Sequence, residues 1–396
     1  MKNNVFSAIL VAGILFLAII SLGLSLSILP LYINQILGYS TFFVGLVVTA
    51  ESVSTLVSRA YAGRYSDRHG PRKGMTLGLG LTVLSGMFCL LAFLLIDNSF
   101  YAYLIILLSR VFMGVGESLI FTCSGTWPIG LVGREHAGKI MSWVGIAMFL
   151  GLAIGNYFGA WSYYNVGINL SALAMTLIPA LGFIIVLVVR PVQLSEERIF
   201  LTLSFAIKRI WKAGLGFALA NIGYASITTF LVLFFIERGW SGQSAFALAL
   251  FGLGYVVSRL TLGWKADSSG LKMAIFSLVV ESCGLILIAI SSSPYEAMIG
   301  SFLTGFGLSM VYPLLALPAI KSMPDENIGL ALSTYESCFD IGILLSGFIG
   351  GVLVSSLDYV SVFLFNFLCS LSAIIVTMLA YKQIYALSKK KDSQSV

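Results

Sequence analysis

Gly63-Arg64-Tyr65-Ser66-Asp67-Arg68-His69-Gly70-Pro71-Arg72-Lys73 stands between two long apolar runs, and a second version of it follows 200 residues later. Val57-Ser58-Arg59, Gly63, Asp67, Gly70 and Arg72 return as Val257-Ser258-Arg259, Gly263, Asp267, Gly270 and Lys272. Other positions correspond at an offset of 191: Gly114 and Gly116 with Gly305 and Gly307, Gly138 and Ser142 with Gly329 and Ser333, and Gly151 with Gly342. One plan is therefore written twice along the chain, in the same orientation.

The apolar runs around these motifs decide the class of molecule. Of the 396 residues, 58% are hydrophobic and 10% charged, and the mean hydropathy is +0.98. Soluble domains carry roughly 25% charged residues, so a soluble domain, a disordered chain and a secreted disulfide scaffold are excluded. A helix needs about 20 apolar residues to span a bilayer. Twelve runs qualify: 6–32, 42–62, 75–96, 100–127, 140–162, 168–190, 213–236, 244–263, 273–291, 296–318, 328–354 and 360–385. The first is too long for a signal-peptide core and has no clear small-x-small cleavage site, so it counts as a span. Connections as short as Asp97-Asn98-Ser99 and Ser291-Ser292-Ser293-Pro294 force neighbouring helices to run antiparallel.

The expected fold is all-α integral membrane, with twelve transmembrane helices in two six-helix pseudo-symmetric bundles. The bundles would occupy 1–190 and 213–385, joined by a cytoplasmic linker at 191–212 and followed by a cytoplasmic tail at 386–396. Parallel repeats of this kind pack about an axis along the membrane normal, with a substrate site expected at their interface. In the linker, Ile199, Leu203, Ala206 and Ile210 recur at helical spacing beside Glu196, Glu197, Lys208 and Arg209. That pattern suits an amphipathic helix on the inner leaflet or a solvated connection.

With the N-terminus inside, all but two of the 23 lysines and arginines fall on the inner side; Arg238 lies outside and Arg110 within a span. The positive-inside rule then places both termini in the cytoplasm, with the chain in the plasma (inner) membrane. The net charge of +6 resides in loops between apolar runs and does not indicate nucleic acid. The five cysteines form no CxxC pair and read as small apolar filler. His69 and His136 fall in polar loops, so neither a metal site nor a cofactor is expected. Gly133 through Lys139 fits G-x-x-x-x-G-K, but Ile140 follows where a phosphate loop needs Ser or Thr, and the flanks are membrane spans. With no catalytic constellation, the chain is not expected to be an enzyme.

The loop at 63–73 resembles the signature of the major facilitator superfamily, G-x-x-x-D-R-x-G-R-[KR], displaced by one residue at Pro71-Arg72. Arg110-x-x-x-Gly114-x-Gly116 resembles the superfamily's helix-4 motif. Gly151-x-x-x-Gly155-Asn156-x-x-Gly159 resembles its antiporter motif, with Asn156 in place of proline and Ala160 in place of the last glycine. The stretch from Gly116-Glu117-Ser118 to Ser142-Trp143 looks like a branch labelled sugar or drug efflux permeases. The resemblance implies alternating access, with an inner gate of Gly63, Asp67, Arg68, Gly70 and Arg72, and Asp267 in a weaker second copy. It also implies a proton-coupling role for Arg110. Physically, the glycines permit tight turns, and Asp67 can take a helix N-terminus or an arginine. The arginines also suit topology and anionic lipid. The helix-5 glycines suit close helix contact as well as antiport.

Six ionisable residues fall within spans: Glu51, Arg110, Glu117, Glu281, Glu336 and Asp340. Each such charge at the bilayer centre costs about 2.5–3.5 kcal/mol on insertion scales, so they are functional candidates. Arg110 and Glu117 share a face of helix 4, about 10 Å apart along it; Arg110 could instead pair with Glu51. Glu336 and Asp340 lie four apart on helix 11, close enough for one to hold a proton or for ordinary hydrogen bonding. Glu51, with Thr55 and Ser58 on its face, joins Arg110, Glu117, Glu336 and Asp340 as a candidate for proton coupling, while Glu281 falls on a helix peripheral in the superfamily. Asn221, Tyr224, Thr228 and Tyr312 are candidate substrate contacts or interhelical glue. The expected function is proton-coupled export of a small organic molecule by a monomer. The alternative is proton- or ion-coupled import of a nutrient such as a sugar or metal-chelate.

Overall fold

In a bilayer, backbone polar groups find partners only within the segment itself, so each apolar run closes into a helix. The computed structural model describes residues 2–165, 167–192 and 200–392. Twelve α-helices fill most of them: α1 (Lys2–Leu31), α2 (Thr41–His69), α3 (Pro71–Leu94), α4 (Ser99–Val132), α5 (Ala137–Asn165), α6 (Ile168–Val188), α7 (Leu203–Glu237), α8 (Ser244–Leu262), α9 (Ala266–Ile290), α10 (Pro294–Lys321), α11 (Ile328–Ser356) and α12 (Tyr359–Asp392). There is no strand among the described residues. Each of the twelve is long and apolar enough to cross a membrane.

The basic loop read from the sequence is two helix ends meeting at one residue. Gly70 has φ +89° and its amide closes α2 on the Ser66 carbonyl. Left-handed backbone would cost an L side chain about 1–2 kcal/mol. Pro71 then opens α3, where the missing amide has no partner to lose. At Ser291–Pro294 the turn is built by side chains. The Ser293 hydroxyl accepts from the Glu296 amide, and the Glu296 carboxylate accepts from the amides of Ser292 (2.7 Å) and Ser293 (3.3 Å).

α7 runs unbroken from Leu203, capped by the Thr202 hydroxyl accepting from the Phe205 amide. Leu203, Ala206, Lys208, Arg209 and Ile210 of the expected linker are thus the opening turns of the seventh span. Glu196, Glu197 and Ile199 lie outside the described residues. α12 continues through the expected start of the tail to Asp392.

The chain forms two compact units. The first holds Met1–Arg134, Trp143–Phe200 and Asp325–Ser333; the second holds Glu135–Ser142, Leu201–Pro324 and Thr334–Val396. Each is a bundle from one half of the sequence plus the opening turns of a helix from the other. α11 begins in the first unit and α5 in the second. In the first, Leu24, Ile28, Tyr32, Ile33, Phe93, Ile106 and Met175 bring α1, α3, α4 and α6 together around a buried apolar core. The α5 glycines lie on α1. A Cβ on Gly151 would stand 2.9 Å from the Phe16 carbonyl, one on Gly159 3.0 Å from the Leu24 carbonyl, and one on Gly23 2.9 Å from Gly155 Cα. Lipid gives helices no hydrophobic reason to associate, so such backbone-to-backbone contact holds them.

The sequence repeat is equally visible in space. Gly114 of α4 lies against the Glu51 carbonyl of α2, and Gly305 of α10 against the Phe251 carbonyl of α8. Gly116 faces Gly78 and Thr82 of α3 just as Gly307 faces Ser277 and Glu281 of α9.

Candidate functional site

Arg110 is the centre of the polar site in the first unit. It leaves α4 at a position only 1% exposed, enclosed by α1, α2 and α3. Nη1 donates to Ser25 Oγ at 2.7 Å and to Glu51 Oε2 at 3.4 Å. Nη2 donates to Ser85 Oγ and Ser109 Oγ, both at 3.1 Å, and to Cys89 Sγ at 3.5 Å. Cys89, read as apolar filler, is therefore also part of this shell. The guanidinium is solvated mainly by hydroxyls, with one long ionic contact. A shallow recess opens beside the pair, lined by Ser25, Leu29, Pro30, Ile33, Val44, Val47 and Glu51.

α2 serves both charged positions of α4. Glu51 meets Arg110, and one turn on, Thr55 Oγ1 donates to Glu117 Oε2 at 3.1 Å and to the Gly114 carbonyl at 3.3 Å. Gly114 makes this possible: a Cβ there would lie 2.5 Å from the Glu51 carbonyl oxygen and 2.9 Å from the Thr55 nitrogen. The seven-residue gap between Arg110 and Glu117 is bridged by the facing helix. Glu51, Thr55 and Ser58 are all buried, as one face of α2 requires.

In the second unit, Tyr312 and Glu336 come together while Asn221 and Thr228 do not join them. Tyr312 Oη donates to Glu336 Oε1 at 3.3 Å, and Tyr335 Oη donates to the Tyr312 carbonyl at 3.0 Å. Phe217 stacks on Tyr335 with centroids 4.6 Å apart, and Phe339 stacks on both Phe217 (5.8 Å) and Tyr224 (6.0 Å). Asn221 turns its amide to the Phe217 carbonyl of its own helix, and Thr228 bonds its own helix at Tyr224 and Ala225. Asp340 is half-buried one turn beyond the buried Glu336.

The residues expected to form the inner gate sit at the basic ends of the helices. Asp67 meets a helix N-terminus, one of the two partners expected for it: Oδ1 accepts the Gly329 amide at 2.7 Å and Oδ2 the Leu330 amide at 2.8 Å, in the first turn of α11. Gly63 lies directly against Gly329 and Ser333, where any side chain would collide. In the second copy Asp267 accepts the Gly138 amide at 2.6 Å and the Lys139 amide at 3.3 Å, at the start of α5. The apparent phosphate loop is thus an anion-binding helix end whose anion is a carboxylate of the same chain. Arg68 stacks over Phe200 at 5.2 Å and Arg72 reaches the Leu187 carbonyl at 3.4 Å.

Sequence reading counted Arg59 and Arg259 among the inner-side charges, yet both are 2% exposed. Arg259 donates to the Met141 carbonyl (2.9 Å), Tyr255 Oη (2.8 Å) and Ser309 Oγ (3.1 Å), anchoring the start of α5. Arg59 lies 5.3 Å from the Phe121 ring. Their signal was the repeated Val-Ser-Arg triplet itself, which topology alone does not require. Arg134 pairs with Asp325, close in sequence to the start of α11, a contact no motif announced.

A family model described as Major Facilitator Superfamily matches residues 11–273 and 242–395. The MFS-type transporter YhhS of Escherichia coli (strain K12) is 36% identical over 341 residues, 86% of this chain and 84% of its own length. Among solved structures, the fold matches the fucose:proton symporter FucP of Escherichia coli with a TM-score of 0.79 at 14% identity, covering 96% of this chain and 99% of that one. It also matches a bacterial homologue of the iron transporter ferroportin with a TM-score of 0.82 at 12% identity, covering 95% and 99%.

Proposed function

The chain belongs to the Major Facilitator Superfamily, and from that premise we propose that it exports a small organic molecule from the cytoplasm in exchange for protons, by alternating access. It is a multi-pass membrane transporter and not an enzyme. The observation that carries the proton assignment is the buried Arg110–Glu51 pair, whose single contact is 3.4 Å long. Removing one charge from a buried pair ordinarily destabilises by about 3–5 kcal/mol. Here Ser25, Ser85 and Ser109 stay bonded to the guanidinium when Glu51 takes a proton. Glu51 can therefore titrate without stranding Arg110. Glu117, one turn from Gly114, and the Glu336–Asp340 face of α11 are the further proton carriers in this reading.

The aromatic cluster of Phe217, Tyr224, Tyr312 and Phe339 supplies the substrate-binding surface of the second unit, with Asn221 and Thr228 on the same helix as Tyr224. Asp67 and Asp267 close the cytoplasmic gate through the amides they hold, and their release accompanies the switch in access. The transporter works as a monomer in the inner membrane with both termini in the cytoplasm. Export is favoured by the α5 glycine stripe against α1. Import of a nutrient is the second reading, favoured by Asn156, which stands in place of a helix-bending proline and whose side-chain Oδ1 accepts a hydrogen bond from Ser27 at 3.2 Å. Comparing metabolites in cells with and without the protein separates the two: an accumulated cytoplasmic compound in the deletion supports export, and a depleted one import.

A further inference from the structure

Glu281 is an acid with no cation beside it. It lies mid-helix on α9 in the second unit, 0% exposed, and neither carboxylate oxygen makes a hydrogen bond. The corresponding place in the first half, opposite Gly116, holds Thr82, a neutral hydroxyl bonded to its own helix.

Each element packed on α9 offers it something neutral. From α7 comes Gly223, and a Cβ there would stand 3.2 Å from Glu281 Oε1. From α10 come Gly307, against the α9 backbone, and Thr304, whose hydroxyl is bonded to the Gly300 carbonyl. From α12 come Ser370, whose hydroxyl accepts from Ser282 at 2.9 Å and lies beside the Glu281 carboxyl, and the thiol of Cys369, a titratable group beside Glu281. One turn from Ser370, Asn366 accepts from Ser226 at 3.2 Å while its Nδ2 has no partner. The basic residues nearest in sequence on these helices are Lys212, Lys272, Lys321 and Lys382, each about 13 Å or more away along the axis.

An ionised carboxylate in such surroundings gives up its hydration and receives no cation in return, and the Ser370 hydroxyl beside it is shared with the Leu278 carbonyl at 3.3 Å. A proton cancels the charge and occupies no space between packed helices. We propose that Glu281 is a proton-binding site of the second unit, loaded whenever α7, α9 and α12 are packed as they are here. It is separate from the Arg110–Glu51 pair, and it depends on neither the direction nor the driving ion of transport. The bound proton gives the carboxyl a donor of its own.

Infrared difference spectroscopy on the full chain in lipid bilayers tests this at neutral pH, in sodium-free and in sodium buffer. Subtracting the Glu281→Gln spectrum from that of the unaltered protein should reveal one lost protonated-carboxyl carbonyl band in both buffers. In Glu281→Asp the band should shift rather than vanish, which gives the same decision if the glutamine variant does not fold. Loss of carboxylate stretches in place of the carbonyl band would overturn the proposal. An acid band that gives way to carboxylate stretches when sodium is added would overturn it in favour of a cation site.

Discussion

Asp67→Asn removes one negative charge from the start of α11 and changes almost nothing else. The carboxylate accepts two amides, at 2.7 and 2.8 Å. A hydrogen bond to a charged acceptor contributes about 1.5–3 kcal/mol and a neutral one about 0.5–1.5; the charge adds about 0.3–1 through the helix dipole. Asparagine keeps one acceptor oxygen, so one bond survives in its weaker form. Because Asp67 is half-buried, the lower figures apply, and the net loss is about 3 kcal/mol, roughly a hundredfold in the opening equilibrium. Hydrogen exchange by mass spectrometry reads this directly. The Gly329 and Leu330 amides should exchange roughly a hundredfold faster, while Gly138 and Lys139 should keep their rates and membrane insertion should hold. Transport should fall in parallel. Asp267→Asn should accelerate Gly138 and Lys139 by less, because one of its two bonds is already 3.3 Å long. Unchanged exchange at Gly329 and Leu330, or equal acceleration at both latches, would refute the reasoning.

Arg110→Ala leaves Glu51 buried without its cation and should lower stability by about 3–5 kcal/mol, read as a depressed Tm in detergent, with both gradient-driven transport and exchange lost. Adding Glu51→Gln should restore part of the Tm but not the gradient-driven transport; no restoration counts against the pair. Asp340→Asn should abolish gradient-driven transport yet retain substrate-for-substrate exchange, since exchange moves no net proton. Full gradient-driven activity would remove Asp340 from the mechanism. Gly114→Ala and Gly305→Ala each press a methyl onto the backbone of the helix opposite, at Glu51 and Phe251; each should cost about 1–3 kcal/mol, and an unchanged Tm in either would contradict the close approach.

The twelve helices were legible because a bilayer leaves an apolar run of about 20 residues one option. The repeat was legible because glycine at a helix contact, and aspartate opposite a helix start, tolerate few replacements. Gly114, Gly116, Gly305 and Gly307 face matching places in the two halves. Partner choice was less legible. The Glu51–Arg110 pair stood among the alternatives, but the serines around Arg110 come from three helices, and nothing in the order of Ser25, Ser85 and Ser109 announces that they converge. Arg59 and Arg259 were read as topological charges because hydropathy does not distinguish a buried arginine in the last turns of a helix from an exposed one. The start of α7 was missed since Lys208, Arg209 and Lys212 end the apolar run without ending the helix.

Proton coupling is the central claim, and the most direct measurement is substrate movement in proteoliposomes holding the purified protein and a compound identified by metabolite profiling. An imposed pH gradient alone, with sodium absent, should drive that compound uphill and should fail to do so in Glu51→Gln. Accumulation that requires a sodium gradient, or that proceeds equally with no gradient, would contradict the account.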